Sequence, residues 1–421
     1  MSFPKYPAYK NSGVEWLGEV PEHWDVRPLK YGMRLLTEKS DRRTNPVALE
    51  NIEGWSGRFV PTETEFIGDG VAFEEGDILF GKLRPYLAKA FLASRSGEAV
   101  GDFHVLRPVR GLVPRFAQQQ LLERTFIEIV DGSTFGSKMP RASWDFIGSM
   151  PMLVPPPDEQ TTIANFLDRE TAKIDALVTE QERLIALLKE KRQAVISHAV
   201  TKGLDPSVPM KDSGVEWLGE VPAHWAIQPL YAVMRERDEP NVGMLEDNLL
   251  SLSYGRIIQK DISSNDGLLP ESFETYQIVR PDDIVFRLTD LQNDKRSLRS
   301  AIVDQVGIIT SAYVAAKPIG ALPGYLNYLF RSYDHTKVFY SMGGGLRQSM
   351  KFSDLKRMPL LVPPQTEQTA IATFLDRETA KIDALVAEAQ RAITVLQERR
   401  SALISAAVTG QIDVRQHARQ G

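Results

Sequence analysis

Side chains that commonly carry catalysis or bind metals are sparse in this sequence of 421 residues. There is no cysteine, which excludes thiol nucleophiles, cysteine-zinc sites, iron-sulfur clusters and disulfide bonds. The six histidines stand singly, with no pair at the spacing of helical metal ligands: His23, His104, His198, His224, His335 and His417. The sequence therefore predicts neither a zinc hydrolase nor another metal site.

Longer catalytic signatures are also missing. Residues 132–138 (GSTFGSK) resemble a phosphate-binding loop, but the glycines are one residue too close and Met139 replaces the magnesium-binding hydroxyl. The sequence has no Asn-Pro-Pro or Asp-Pro-Pro tetrad of a methyltransferase and no glycine-rich dinucleotide turn. The Pro-Asp pairs at 157–158 and 281–282 lack the acid-x-Lys triplet of a metal-dependent nuclease. We therefore predict that the chain catalyses no reaction and binds no cofactor itself.

Two basic segments interrupt a chain whose net charge is -5. Residues 81–110 and residues 331–357 each carry six Lys or Arg against two carboxylates, with tyrosines and glycines interspersed. Because Lys and Arg displace counterions from phosphates, such segments suit the surface of duplex DNA. A solvated charged face without a ligand is the alternative that the pattern leaves open.

If these segments bind DNA, the residues that read bases should be Arg, Lys, Asn or Gln at loop tips. There they can form paired hydrogen bonds to guanine or adenine in the major groove. The DNA-binding candidates by this criterion are Lys82, Arg84, Lys138, Arg141, Arg287, Asn293, Lys295, Arg296, Arg347 and Gln348. For each of them, an ordinary surface side chain without a base contact is the competing interpretation.

The elements that must position these residues occur twice. Residues 12–21 (SGVEWLGEVP) recur unchanged as 213–222, and residues 166–178 (FLDRETAKIDALV) recur as 374–386. The chain is therefore a tandem duplication. Between these motifs the halves share only a pattern, in which short apolar runs alternate with turn residues and a few helical stretches. That pattern predicts a compact α/β or α+β domain in each half.

Each half ends in prolines followed by a long helical pattern, which stops at Gly203 or Gly410. Each helix carries one apolar stripe. In the first helix it consists of Ile174, Leu177, Leu184, Leu188 and Val195, widened by Val178 and Ile185, and in the second of Ile382, Leu385, Leu396 and Leu403, widened by Val386 and Ile393. Because helices of ~65 Å are too long to be covered by one domain, we predict that they pack together as an antiparallel coiled coil. Separate docking of each helix on its own domain is the alternative.

The repeats divide the chain into five parts. We predict a globular domain at 1–157, a central long helix at 158–203, a second globular domain at 204–365, a C-terminal long helix at 366–410 and a tail at 411–421. No segment resembles a signal peptide or a membrane span, so a cytoplasmic location is expected.

This order of domain, helix, domain, helix resembles the specificity (S) subunit of type I restriction-modification systems. Three local motifs carry the resemblance: SGVEWLGEVP followed by His-Trp at 23–24 and 224–225, the strand GDILFGKLRPYL at 76–87, and Pro-Pro before Glu-Gln and FLDRET. The resemblance covers nearly the whole chain.

The resemblance implies a non-catalytic DNA-binding subunit with two target-recognition domains, each of which reads one half of a split DNA sequence. It implies that the helices act as a spacer and dock two methyltransferase (M) subunits, and that complexes which also restrict contain two restriction/motor (R) subunits. Adenine methylation and restriction would be directed by this chain, while S-adenosylmethionine, ATP and Mg²⁺ would be bound by the partner subunits.

The two halves depart from each other at one point of the shared framework. Residues 81–85 (GKLRP) are replaced by residues 287–291 (RLTDL) in the second half. Because unlike domains allow an asymmetric target whereas identical ones would require a palindrome, we predict a bipartite, asymmetric DNA target. Two other classes stay open: a pseudosymmetric scaffold whose domains bind peptides or proteins, and a self-contained DNA enzyme.

Overall fold

The computed structural model describes residues 3–40, 44–63, 70–136, 138–261, 272–291, 298–342 and 349–416. The chain divides into two compact units, one of Met1–Glu182 with Arg391–Gly421 and the other of Arg183–Gln390. Each unit contains a mixed domain of strands and short helices, together with part of each long helix. The predicted α+β class, with long helices after each domain, is confirmed.

The first unit contains short strands and three short helices before the first long helix. Its strands are β1 (Tyr9–Asn11), β2 (Glu19–Pro21), β3 (Asp25–Pro28), β4 (Met33–Leu36), β5 (Lys39–Ser40), β6 (Pro46–Val47), β7 (Gly70–Phe73), β8 (Ile78–Gly81), β9 (Ala90–Leu92), β10 (Gly97–Ala99), β11 (Phe103–Pro108) and β12 (Pro151–Val154). Its helices are α1 (Pro114–Leu121), α2 (Arg124–Gly132), α3 (Trp144–Ser149) and the start of α4 (Pro157–Lys202). An antiparallel sheet in the order β4-β11-β8-β9 forms its centre.

The second unit repeats this plan. Its strands are β13 (Met210–Asp212), β14 (Glu220–Pro222), β15 (Ala226–Pro229), β16 (Met234–Glu236), β17 (Leu250–Ser253), β18 (Arg256–Gln259), β19 (Gln277–Val279), β20 (Ile284–Phe286), β21 (Ser300–Ile302), β22 (Gly307–Ile309), β23 (Val314–Pro318) and β24 (Pro359–Val362). Its helices are α5 (Leu230–Val233), α6 (Pro323–His335), α7 (Val338–Met342), α8 (Phe352–Leu355) and the start of α9 (Gln365–Val408). The central sheet has the matching order β16-β23-β20-β21.

The repeated His-Trp dipeptide anchors the start of each long helix. Trp24 donates its indole N–H to Glu159 at 3.1 Å, and a ring nitrogen of His23 lies 2.7 Å from the same carboxylate. In the second unit, Glu367 accepts the indole N–H of Trp225 at 2.9 Å and lies 2.6 Å from His224. The repetition of the His-Trp dipeptide is therefore explained by helix docking.

The end of a long helix completes the core of each unit. In the first unit, Ile404, Ala407 and Val408 of α9 are buried in the same cluster as Trp24 and Phe116. In the second unit, Ile196, Ala199 and Val200 of α4 take the same role beside Trp225 and Phe330. Each domain thus holds the first turns of one long helix and the last turns of the other, an arrangement that the sequence did not predict.

Gly410, just after α9, has a steric reason to be glycine. Its φ is +74°, and a Cβ placed there would lie 2.4 Å from Cδ of Pro21 and 3.1 Å from the ring of Trp24. Its carbonyl accepts a hydrogen bond from the hydroxyl of Tyr9 at 3.1 Å. The helix can therefore end against the repeated motif only because this residue has no side chain.

Two equivalent ion pairs show that the long helices run antiparallel. In the first unit Arg400 of α9 donates to Asp175 of α4 at 2.8 Å, and in the second unit Arg192 of α4 donates to Asp383 of α9 at 3.0 Å. Asp175 and Asp383 occupy the same position of the repeat, as do Arg192 and Arg400. The prediction of an antiparallel pair is confirmed, and the alternative of separate docking is wrong.

The buried seam of the helix pair is narrower than the predicted apolar stripe. Ile174, Ile185 and Leu188 of α4 are buried, as are Ile382, Ala389 and Ile393 of α9. The prediction was wrong for Leu177, Leu184 and Leu385, which are exposed by 52%, 43% and 50%. In a two-stranded coiled coil, only residues that recur every 3.5 positions on average face the partner helix. These three leucines do not follow the spacing set by the buried residues, so they lie beside the seam.

Candidate nucleic-acid interface

Three segments of the first domain meet just beyond the end of β8. The backbone N–H of Lys82 donates to the carbonyl of Asp102 at 2.9 Å, and the carbonyl of Lys82 accepts from Ala142 at 3.0 Å. Two residues further on, the N–H of Arg84 donates to the carbonyl of Pro140 at 2.9 Å. We call this cluster of segments 82–87, 102 and 135–142 the first loop cluster. It brings together all four candidates of the first half.

Asp102 arranges two of those candidates electrostatically. Its carboxylate accepts two hydrogen bonds from the guanidinium of Arg141, at 2.9 and 3.0 Å, and lies 3.9 Å from Nζ of Lys82. These bonds raise the pKa of Arg141 above its ordinary value. Lys82 and Arg141 are thus oriented side by side, and one negative charge offsets part of their combined positive charge.

Arg84 and Lys138 are exposed. Arg84 adopts a left-handed backbone with φ of +50°, which directs the following chain into a 3₁₀ turn over Pro85–Leu87. A non-glycine residue in this region is uncommon and costs conformational energy, and such strain is often found at functional sites.

Exposed apolar side chains surround these cations. Phe135 is 79% exposed, and Met139 and Tyr86 are each exposed by almost half. Aromatic and apolar groups of this kind can contact thymine methyl groups or stack on bases. Sequence reasoning missed Phe135 and Met139, because both lie in residues 132–139, which were compared with a phosphate loop. The sequence feature that could have identified them is the presence of large apolar residues in a glycine-rich turn, where they are unusual.

Several cations of the two basic segments stabilise the fold instead of facing solvent. Lys89 donates to the carbonyl of Leu49 at 2.6 Å, and burial lowers its pKa. Arg107 donates to both carboxylate oxygens of buried Asp77 at 2.7 and 2.8 Å. In the second domain, Arg331 donates to the carbonyl of Gly255 at 2.6 Å, and burial lowers its pKa as well. For these three residues, a structural role accounts for the charge.

The second domain has an equivalent loop, in which neutral or acidic residues stand where the first domain has cations. The N–H of Met350 donates to the carbonyl of Leu288 at 3.0 Å, as Ala142 does to Lys82 in the first domain. Thr289 then bridges to Ser349, as Leu83 bridges to Arg141. Lys82, Arg84 and Arg141 are therefore replaced by Leu288, Asp290 and Ser349. Asp290 keeps the left-handed backbone of Arg84, with φ of +54°.

Among the candidates of the second half, the structure describes Arg287 alone. Its backbone N–H donates to the carbonyl of Arg299 at 2.8 Å, and its side chain is half-buried at the end of β20. The other candidates lie outside the described residues: Asn293, Lys295, Arg296, Arg347 and Gln348.

The described ranges contain no group of three or more His, Asp or Glu side chains that could hold a metal ion. His104 is half-buried with a ring nitrogen 3.0 Å from the carbonyl of Ala142, and burial lowers its pKa. Its ring thus stabilises the first loop cluster from beneath. In the part of the chain that the structure describes, no helix is long and apolar enough to cross a membrane.

Comparisons with known proteins find chains of similar sequence and fold. No family model matches the chain. The putative type I restriction enzyme MjaX specificity subunit of Methanocaldococcus jannaschii is 21% identical over an alignment that covers 99% of each chain. The type I restriction enzyme EcoKI specificity subunit of Escherichia coli K12 is 22% identical, over 94% of this chain and 90% of the relative. The chain resembles type I specificity subunits along its whole length. A third relative, the EcoDI specificity subunit of Escherichia coli, is 23% identical over 46% of each chain.

Solved structures from type I R-M systems share the fold. A chain from work on complex assembly and conformational transition of the type I R-M system aligns with a TM-score of 0.65 at 16% identity, over 92% of this chain and 98% of the other. The HsdS subunit of Thermoanaerobacter tengcongensis aligns with a TM-score of 0.50 at 15% identity, over 93% and 98%. The predicted resemblance to type I specificity subunits is confirmed.

Proposed function

We propose that this chain is the DNA target-recognition subunit of a type I restriction-modification complex, in which each domain reads one half of a bipartite, asymmetric target. One observation carries the proposal: two domains with the same framework present unlike residues at the same loop. Lys82, Arg84 and Arg141 in the first domain correspond to Leu288, Asp290 and Ser349 in the second. A shared scaffold with different loop residues is what reading two different half-sites requires.

The chemistry of the first loop cluster supports recognition of base edges as well as phosphates. Asp102 holds the guanidinium of Arg141 in a fixed plane through Nε and Nη2. The remaining N–H groups of Nη1 and Nη2 suit bidentate hydrogen bonds to guanine. Exposed Arg84 and Lys138 can contact phosphates, and Phe135 offers an aromatic face. The combination of fixed cation, free cations and apolar surface is less suited to binding a peptide without charge.

The helix pair supports docking of two M subunits. Leu177 and Leu385 are exposed at the same position of the repeat, and so are Leu187 and Val395. In the first unit, the register set by Asp175 and Arg400 places Leu177 and Val395 within one helical turn of each other along the pair. The matching ion pair in the second unit does the same for Leu385 and Leu187. Two equivalent apolar patches fit two copies of one partner.

S-adenosylmethionine, ATP and Mg²⁺ are assigned in this proposal to the M and R subunits, and the complex would act on DNA in the cytoplasm. The chain itself would direct adenine methylation and restriction without taking part in the chemistry.

Selection from a pool of randomised duplexes tests DNA reading. The complex with its M subunits should enrich duplexes with two separated, unlike blocks of fixed bases, and binding to the enriched duplex should weaken steeply between low and high salt. Enrichment of no sequence, together with binding that is insensitive to salt, would instead support a protein-binding scaffold.

A separate experiment tests partner docking. The double substitution Leu177→Glu with Val395→Glu should reduce the number of bound M subunits from two to one, measured by native mass spectrometry. Thr179→Glu, on the exposed outer face of α4, is the matched control and should keep two. Retention of two M subunits by the double variant would contradict the assigned patches.

A further inference from the structure

A fully buried guanidinium lies beneath the loop of the second domain that corresponds to the first loop cluster. Arg299, just before β21, has no exposed surface, although arginine is among the residues least often buried. Its side chain donates to the carbonyl of Thr289 at 3.0 Å, to that of Asp290 at 3.4 Å and to that of Arg287 at 3.5 Å. One side chain thus gathers three carbonyls of a four-residue loop.

The same guanidinium also holds a second element. Its Nε donates to the hydroxyl of Tyr340 in α7 at 3.1 Å, and its centre lies 5.3 Å from the ring centroid of Tyr340. The chain continues from the Arg287–Asp290 loop into residues 292–297 and from α7 into residues 343–348. These two segments contain all the remaining candidates of the second half: Asn293, Lys295, Arg296, Arg347 and Gln348.

The backbone of Arg299 is itself fixed from below. The buried carboxylate of Asp334 in α6 accepts the N–H of Arg299 at 2.9 and 3.0 Å and the hydroxyl of Ser300 at 3.0 Å. A guanidinium whose backbone is anchored and whose planar fork meets several acceptors is held in one orientation.

The first domain is built differently at this position. Lys89 is the equivalent residue, because its carbonyl accepts from Gly81 as the carbonyl of Arg299 accepts from Arg287. The ammonium of Lys89 donates to Leu49, outside the 82–87 loop. The first loop cluster is held instead by pairing within it, such as Arg141 with Asp102, and by the half-buried side chains of His104 and Asp131. Among the described residues, a fully buried guanidinium under the loop is therefore specific to the second domain.

We propose that Arg299 is a positioning residue for target specificity, which sets the geometry of the Arg287–Asp290 loop and of Tyr340 in α7. This proposal rests on the proposed function. Arg299 does not touch DNA, because it is fully buried. It acts through the loop carbonyls and Tyr340. Its substitution should therefore lower the discrimination between bases in one half-site and leave that in the other unchanged.

Mapping of methylated adenines in cells that carry the S and M subunits tests the proposal. Arg299→Lys keeps the positive charge but loses the planar guanidinium that donates to several acceptors at once. It should lower discrimination at the bases of one block by about tenfold or more, while the other block stays as strict as in the wild type. Lys89→Met, the matched control, should leave the block relaxed by Arg299→Lys unaffected.

Tyr340→Phe keeps the ring and removes the hydroxyl that accepts from Nε. It should relax the same block to a smaller extent, and it decides the question if the lysine variant fails to fold in a urea titration. A folded Arg299→Lys variant with wild-type discrimination would overturn the proposal, as would equal relaxation of both blocks. If the wild-type complex itself methylates no bipartite motif, the proposed function fails first, which keeps the two failures distinguishable.

Discussion

The loops that follow β8 and β20 have one backbone plan and two chemistries. Both cross to a second segment through the same carbonyl, at Lys82 and at Leu288, and both then turn through a left-handed residue, Arg84 or Asp290. The first loop cluster has cations at Lys82, Arg84 and Arg141, and Asp102 pairs with Arg141. The second loop has neutral or acidic residues at the same positions, and the buried side chain of Arg299 binds its carbonyls. A duplicated domain can therefore change what it contacts while its framework stays the same.

Just before β8 and β20, at the opposite end of each strand from the loop, each domain buries an aspartate that is paired with an arginine. Asp77 is bound by Arg107, which is about one third exposed, and Asp283 is bound by Arg237, which is less exposed. Removing one partner of a buried pair costs about 3 to 5 kcal/mol. We expect the loss in free energy of unfolding to lie at the lower end of this range for Asp77→Ala and at the upper end for Asp283→Ala. Water can hydrate Arg107 more easily than Arg237 after its partner is removed. Urea unfolding of each variant measures the difference, and equal losses would contradict the distinction.

A second prediction concerns pH and applies to the second domain. Burial raises the pKa of Asp334 to about 6, so between pH 4 and 6 the folded state binds this proton more than the unfolded state does. Stability from this group is therefore present at pH 4 and lost as pH rises through 6, by up to about 3 kcal/mol. The free energy of unfolding of Asp334→Asn should lack this decline relative to the wild type. Parallel pH profiles for the two proteins would exclude the expected titration.

The third prediction tests the difference in loop charge. Arg84→Ala should weaken binding of the selected duplex by about five- to a hundredfold and lower the salt dependence by about one counterion. The equivalent change in the other loop, Asp290→Ala, should leave affinity unchanged or strengthen it, because a negative charge is removed. Arg34→Ala, an exposed arginine on edge strand β4 of the same domain, is the control. Fluorescence anisotropy at two salt concentrations measures all three, and similar effects of the Arg84 and Asp290 variants would argue against the assignment.

The smallest expected effect compares the two helix ion pairs. Both pairs are partly exposed, so each should contribute at most about 1 kcal/mol. Arg192→Ala removes one pair, whereas Arg400→Ala also removes a hydrogen bond to the carbonyl of Trp55 at 3.0 Å. Arg400→Ala should therefore destabilise slightly more in thermal unfolding. A larger loss for Arg192→Ala would show that the two pairs are not equivalent.

Much of the architecture could be predicted because the sequence contains internal repeats. Identical motifs at 12–21 and 213–222 indicate duplication, and a long apolar stripe without a domain to cover it indicates a helix pair. The seam was less predictable, since Leu177 and Ile174 are equally apolar and only coiled-coil geometry decides which is buried. The core contribution of Val408 and Val200 was also missed, because it joins residues far apart in sequence.

The sequence indicated loop positions for the first-half candidates, whereas their contact with DNA stays a prediction. Lys82, Arg84, Lys138 and Arg141 do meet in one cluster, because the turn after β8 and the turn before α3 flank the same sheet edge. Charge counting could not show that Lys89, Arg107 and Arg331 are used inside the fold. The clamp at Arg299 carries no sequence signal, since a single arginine before a strand is ordinary until its acceptors are seen.

The central claim is that the two domains read unlike halves of one target. Mapping methylated adenines genome-wide, in cells that carry the wild-type chain or Arg141→Ala with the same M subunits, tests it most directly. The wild type should yield one motif of two unlike blocks separated by unread bases, and Arg141→Ala should relax one block alone. A palindromic motif, a single block, or equal relaxation of both blocks would contradict the account.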